Sequence, residues 1–96
     1  MIEHELKTWT PFFTHVWNST KRFEVRKDDR GFKVGGQVIL REYNNELKGY
    51  TGYEVRAVID YVLKGGQFGI EDGYCILSIV VMSRINKSVT PNAGSL

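Results

Sequence analysis

The chain is poor in the residues that most often announce chemistry. It has a single cysteine, Cys75, which excludes an intrachain disulfide and any metal site built from cysteines alone. Cys75 lies in an apolar run, the setting of a buried, inert thiol rather than a nucleophile. The two histidines, His4 and His15, belong to no close ligand spacing, so neither a metal nor a cofactor is expected. No stretch approaches the roughly 18–20 apolar residues of a membrane-crossing helix, and no membrane partner is expected. The opening Met1-Ile2-Glu3-His4-Glu5 carries acid where a signal peptide carries base, and no apolar run follows. That pattern leads us to expect a cytoplasmic protein. The glycine-rich stretch Gly65–Gly73 has no Gly-Lys-Ser/Thr and no dinucleotide fingerprint.

What remains is an ordinary globular composition. Ninety-six residues, 42% apolar and 25% charged, make one domain with a single core. We expect that domain to cover residues 1–82, with a polar, frayed tail over residues 83–96. The net charge is +2, but residues 21–33 alone hold six cations against three anions, leaving the rest near neutral. A small local basic patch fits a phosphate-bearing partner.

Residues 2–8 read as a first strand with Ile2, His4 and Leu6 on one side. Thr10 and Pro11 predict a helix start, with Thr10 as its N-cap and Pro11 as its first helical residue. Phe12, Phe13, Val16 and Trp17 share a helix face and are expected in the core. Asn18-Ser19 ends the helix. A strand over residues 23–27 follows, then a turn at Asp28–Gly31 and a strand from Gln37 to Tyr43. Asn44 through Gly52 reads as a hairpin loop. Tyr53, Val55, Ala57, Ile59, Tyr61 and Leu63 alternate with mostly polar residues, a strand long enough to bend around a small barrel. After the glycine-rich connection, with Phe68 and Ile70 plugging the core, Tyr74 to Met82 predicts a strand covered on both faces. One helix cannot cover both faces of five strands, so the expected fold is α+β, a small mixed β-barrel with one helix after the first strand.

The chemistry concentrates in Lys21-Arg22-Phe23-Glu24-Val25-Arg26-Lys27. Strand alternation puts Phe23 and Val25 on one face and Arg22, Glu24 and Arg26 on the other, with Lys21 at the entry turn. A carboxylate between guanidiniums with an ammonium alongside is a candidate polar site. A solvated strand face with exposed ion pairs is the alternative. Gln67 and Glu71, on the glycine-rich connection, are candidates for a rim or lid facing a ligand.

Ser19-Thr20-Lys21-Arg22-Phe23-Glu24-Val25-Arg26 resembles the Gly-x-Lys-x-x-Glu-x-Arg signature of the ASCH domain, a member of the PUA-like β-barrel superfamily, with Ser19 in place of glycine. His4–Lys7, Phe32–Gly35, Leu40–Tyr43 and Gly65–Glu71 extend the resemblance to a small ASCH-like family common in bacteriophages and bacteria and often described as RNA-binding. Gly36 stands where those proteins often carry aspartate. The resemblance implies a cleft at the junction of the helix, the next strand and the glycine-rich connection, binding RNA or a nucleotide-like ligand through Lys21, Glu24, Arg26, Lys27, Gln67 and Glu71. Trp9, Tyr43 or Tyr50 would be available to stack a base. It also implies an alternative. Some ASCH-fold proteins resemble amidohydrolases that deacylate an N4-acylated cytidine such as N4-acetylcytidine. Lys21 and Glu71 would then carry hydrolysis, with Glu24 where those enzymes have threonine. An RNA-processing enzyme is a further possibility of the same class.

Overall fold

The computed structural model describes residues 3–87. Its elements are β1 (Glu3–Trp9), α1 (Thr10–Trp17), β2 (Phe23–Lys27), β3 (Gln37–Asn44), β4 (Gly49–Lys64) and β5 (Tyr74–Asn86). They form one five-stranded sheet in the order β1-β3-β4-β5-β2. The β1–β3 pair is parallel, with Leu6 opposite Leu40, and the other pairs are antiparallel. β1 and β2 are therefore the two edges of the sheet, yet Arg26 of β2 donates to the Lys7 carbonyl of β1 at 3.0 Å. Edges that touch require the sheet to curl strongly, and the architecture is a mixed α+β half-barrel with its helix directly after the first strand.

The core fills the concave side. Leu6, Val38, Leu40, Val55, Ala57, Ile59, Cys75, Leu77 and Ile79 project into it from the strands, and Phe13 and Val16 cover it from α1. The helix packs on β1 and β3. Trp9 is its N-cap and no side chain caps it, so Thr10 is the first helical residue rather than the cap. The Thr10 hydroxyl donates to the Tyr43 carbonyl at 3.4 Å instead, tying the helix start to β3. Phe12, expected in the core, is 55% exposed, because the helix is only half sunk into the barrel mouth.

Five further expectations are corrected. The hairpin between β3 and β4 is shorter than Asn44–Gly52: only residues 45–48 lie between the strands. Asn44 tightens that turn by accepting from the backbone of Glu46 at 2.9 Å and of Leu47 at 2.8 Å. The alternation along β4 breaks where the pairing slips between Ile59 and Tyr61, so Tyr61 faces solvent and Val62 turns to the core. β5 is covered on one face, since Cys75, Leu77 and Ile79 are buried while Val80 and Met82 are exposed. Phe68 does not plug the core; it is 83% exposed. Ser83–Asn86, expected in the tail, continue β5 and pair with β4, while residues 88–96 of that tail, like Ile2, lie outside the described residues.

Cys75 has no exposed surface, as its apolar surroundings predict. Burial, reinforced by the nearby Asp28 carboxylate, pushes its thiol above the ordinary value of 9.0, with Lys64 opposing. Below that value the thiol is protonated in both folded and unfolded chains and contributes no pH dependence. Above it only the unfolded chain releases the proton, so stability is expected to fall with rising pH, by at most about 1.4 kcal/mol per pH unit from this group. Denaturant titrations at pH 8 to 10.5 check this, and Cys75→Ala should flatten the decline.

Candidate functional site

β2 breaks the usual rule for a strand. Its apolar residues Phe23 and Val25 are about half exposed, whereas Glu24 is 3% exposed. The charged face points inward, and the solvated-face alternative does not describe it. What makes this burial tolerable is complete pairing. Lys21 Nζ donates to Glu24 Oε2 at 2.7 Å, and Arg26 donates to Glu24 Oε1 through Nη2 at 2.8 Å and Nε at 3.1 Å. Lys21 also donates to the Phe23 carbonyl at 2.6 Å. Arg26 Nη2 reaches across to Thr8 Oγ1 at 3.1 Å as well as to the Lys7 carbonyl. One guanidinium thus orients the carboxylate and bridges the unpaired edges. Arg30 repeats the device further along, donating to the Glu5 carbonyl at 2.9 Å.

The seam between β1 and β2 opens into a cleft of about 560 Å³. Glu24, Thr8, Lys21 and Arg26 line it together with Lys7, Trp9, Phe12, Phe23 and Val25. Its electrostatics follow from the pairing. Glu24 offsets one of the three cations, which leaves an excess of two positive charges at the opening. Trp9, Phe12 and Phe23 are each about half exposed beside those charges, and the Phe23 ring lies 4.7 Å from Lys21 Nζ. The backbone contributes too. Ile79 N–H donates to the Arg22 carbonyl at 3.0 Å, and such pairs recur at every second residue of an antiparallel ladder. Glu24 and Arg26 therefore give their main-chain groups to β5, and Phe23 and Val25 turn theirs toward the seam. The site combines charge, flat apolar surface and hydrogen-bonding backbone, which suits a planar polar ligand carrying negative charge.

The structure brings Lys21, Glu24 and Arg26 together and leaves the other expected residues elsewhere. Lys27 lines a small neighbouring depression with Arg26 and Arg30. Gln67 and Glu71 lie in the exposed connection between β4 and β5 and do not line the cleft. That connection packs where β2 ends, with Asp28 N–H donating to the Gly73 carbonyl at 2.9 Å and Lys64 paired to Asp28 at 2.6 Å. Its glycines serve the turn: a Cβ on Gly65 would stand 2.1 Å from the Glu71 carbonyl oxygen. Of the aromatics expected to stack a base, Trp9 lines the cleft. Tyr43 and Tyr50 form an edge-to-face pair at 5.2 Å next to it, with Lys7 Nζ 4.5 Å above the Tyr43 ring. Thr8, Phe12 and Phe23 are site residues that sequence reasoning missed. Their signal was placement at the β1–α1 junction and on the same strand as Glu24. Ser19, at the motif position where glycine is usual, has φ 64, the left-handed conformation that glycine adopts without cost.

The fold is a curled α+β half-barrel whose two edge strands flank a charged cleft. The family model for a domain of unknown function, DUF3850, matches residues 3–79, and the chain belongs to that family. A comparison with curated proteins returns no match.

Proposed function

We propose that this domain is a cytoplasmic ASCH-type, PUA-like module that binds RNA or a nucleotide in the seam cleft. The observation that carries the reading is the buried Glu24 carboxylate, held between Lys21 and Arg26 on the floor of an open cleft with aromatic walls. A buried ion network is weak as a stabilising device, since well-packed apolar residues often serve as well or better. Its use here is to fix two cations where a ligand's phosphate or carbonyl arrives. Trp9, Phe12 and Phe23 then stack on the base, and the Val25 backbone offers a donor and an acceptor to its edge.

The competing reading, an amidohydrolase for a modified nucleoside or an RNA-processing enzyme, has less behind it. Lys21 Nζ is already engaged by the Phe23 carbonyl and the Glu24 carboxylate rather than left free to meet a substrate carbonyl. Glu71, the second carboxylate of that reading, stands outside the cleft. Incubation with N4-acetylcytidine is expected to give no turnover; turnover abolished by both Lys21→Ala and Glu24→Ala would instead establish the hydrolase.

Titration with cytidine 5′-monophosphate and a short single-stranded RNA tests the binding reading. Lys21→Ala and Arg26→Ala are each expected to weaken binding by about tenfold or more, the scale of a lost hydrogen bond to a charged group. With so few phosphate contacts, the salt dependence for RNA should be shallow. Unchanged affinity in both variants would remove the cleft from the reading.

A further inference from the structure

Two arginines stand apart from the other four. Arg26, Arg30, Arg41 and Arg56 each have a carboxylate partner, whereas Arg22 and Arg84 have none among the described residues. Both are nevertheless held in place, and by neutral acceptors. Arg22 Nε donates to the Ser19 carbonyl at 2.9 Å. Arg84 Nε donates to the Trp17 carbonyl at 2.6 Å, and its Nη2 to Ser19 Oγ at 2.9 Å. Ser19 thus ties the two guanidiniums to one point while adopting a left-handed backbone that only glycine takes freely. Its hydroxyl is what glycine could not supply.

Capping the last turn of α1 accounts for the Nε contact of Arg84, and holding the turn after the helix for that of Arg22, but donors are left over. Neither Nη of Arg22, nor Nη1 of Arg84, meets an acceptor among the described residues. The two side chains line one open depression of about 370 Å³, floored by Ile79, Val80 and Val81. Preorganised guanidiniums whose charge no carboxylate offsets are suited to phosphate oxygens, which accept from their planar forks. Arg22 directly follows Lys21, so a residue lining this depression is one backbone step from a residue lining the seam cleft.

We infer that Arg22 and Arg84 form a second phosphate subsite, which takes the backbone of the nucleotide adjoining the one in the seam cleft. The preferred ligand is then single-stranded RNA rather than a free nucleotide. This rests on the proposed function, and it deepens it: a mononucleotide can fill only the cleft, whereas a strand engages both sites.

The experiment compares cytidine 5′-monophosphate with fluorescein-labelled hexacytidylate RNA on wild type, Arg22→Gln and Arg84→Gln, with thermal unfolding to confirm that each variant folds. Arg84→Lys serves as a charge-retaining control in case loss of the helix contact, rather than of charge, matters. The expected result is hexamer binding weakened about tenfold in each glutamine variant, a salt slope lowered by roughly one, and mononucleotide binding unchanged. Arg84→Lys should recover much of the hexamer affinity. Hexamer binding unaltered in both glutamine variants, with wild type binding both ligands, overturns the second subsite and leaves the cleft reading standing. Failure of wild type to bind either ligand overturns both, and protein capture by this surface would then be the reading to pursue.

Discussion

Replacing Glu24 by alanine is expected to destabilise the domain by about 2–3 kcal/mol, lowering its melting temperature by about 10–20 °C. Glu24 is nearly inaccessible, and both of its oxygens accept from cations. Without it Lys21 and Arg26 face each other with nothing between them. Removing one member of a fully buried pair costs about 3–5 kcal/mol, and the partial exposure of both cations, 19% and 23%, lets water screen part of that penalty. Glu24→Gln keeps the shape but offers one acceptor oxygen instead of two, so an intermediate loss is expected. Thermal denaturation of the two variants beside wild type checks the order. Equal stability of wild type and Glu24→Ala would show that the carboxylate does not organise the site.

Arg26→Ala is expected to lose stability on a similar scale, about 2–3 kcal/mol, and to weaken ligand binding by about tenfold or more. The reason differs. Arg26 is the side chain that closes the seam, linking Glu24 on β2 to the Lys7 carbonyl and Thr8 hydroxyl on β1. Its loss leaves a buried carboxylate with half its partners and frees the β1 edge. Arg26→Lys should not rescue either property, because one ammonium cannot reproduce a planar fork that serves two strands. Amide hydrogen exchange offers a local readout: residues of β1 and β2 should exchange faster in Arg26→Ala than those of β4. Full rescue by lysine would mean that charge alone matters at this position.

Much of this fold is legible in the sequence, for reasons particular residues make clear. Alternation over residues 23–27 places β2 with its observed bounds, and the Val38–Leu40 centre places β3. In the Lys-x-x-Glu-x-Arg stretch the entry turn and one strand face bring three charges together locally. What stays hidden is set by topology. Alternation separates Phe23 and Val25 from Glu24 without saying which face is inner; the curl of the sheet turns Glu24 inward, where cations on both sides meet it. The glycine-rich connection looks like a rim, but the sheet order carries Gln67 and Glu71 to the end of β2 beyond the cleft. Trp9 and Phe12 enter the site only because β1 passes straight into α1 beside an unpaired edge. The slips in β4 pairing likewise leave no residue signature, since Asp60 sits in phase with the alternation.

The most direct test of the cleft as a nucleotide site is an amide chemical-shift titration of the labelled protein with cytidine 5′-monophosphate. The account predicts saturable shifts at Lys7–Trp9 and at Lys21–Arg26, with Phe23 and Val25 prominent because their N–H groups face the seam. Little change is expected at Gln67–Glu71. Saturable shifts clustered on the glycine-rich connection, or none anywhere at millimolar ligand, would contradict it.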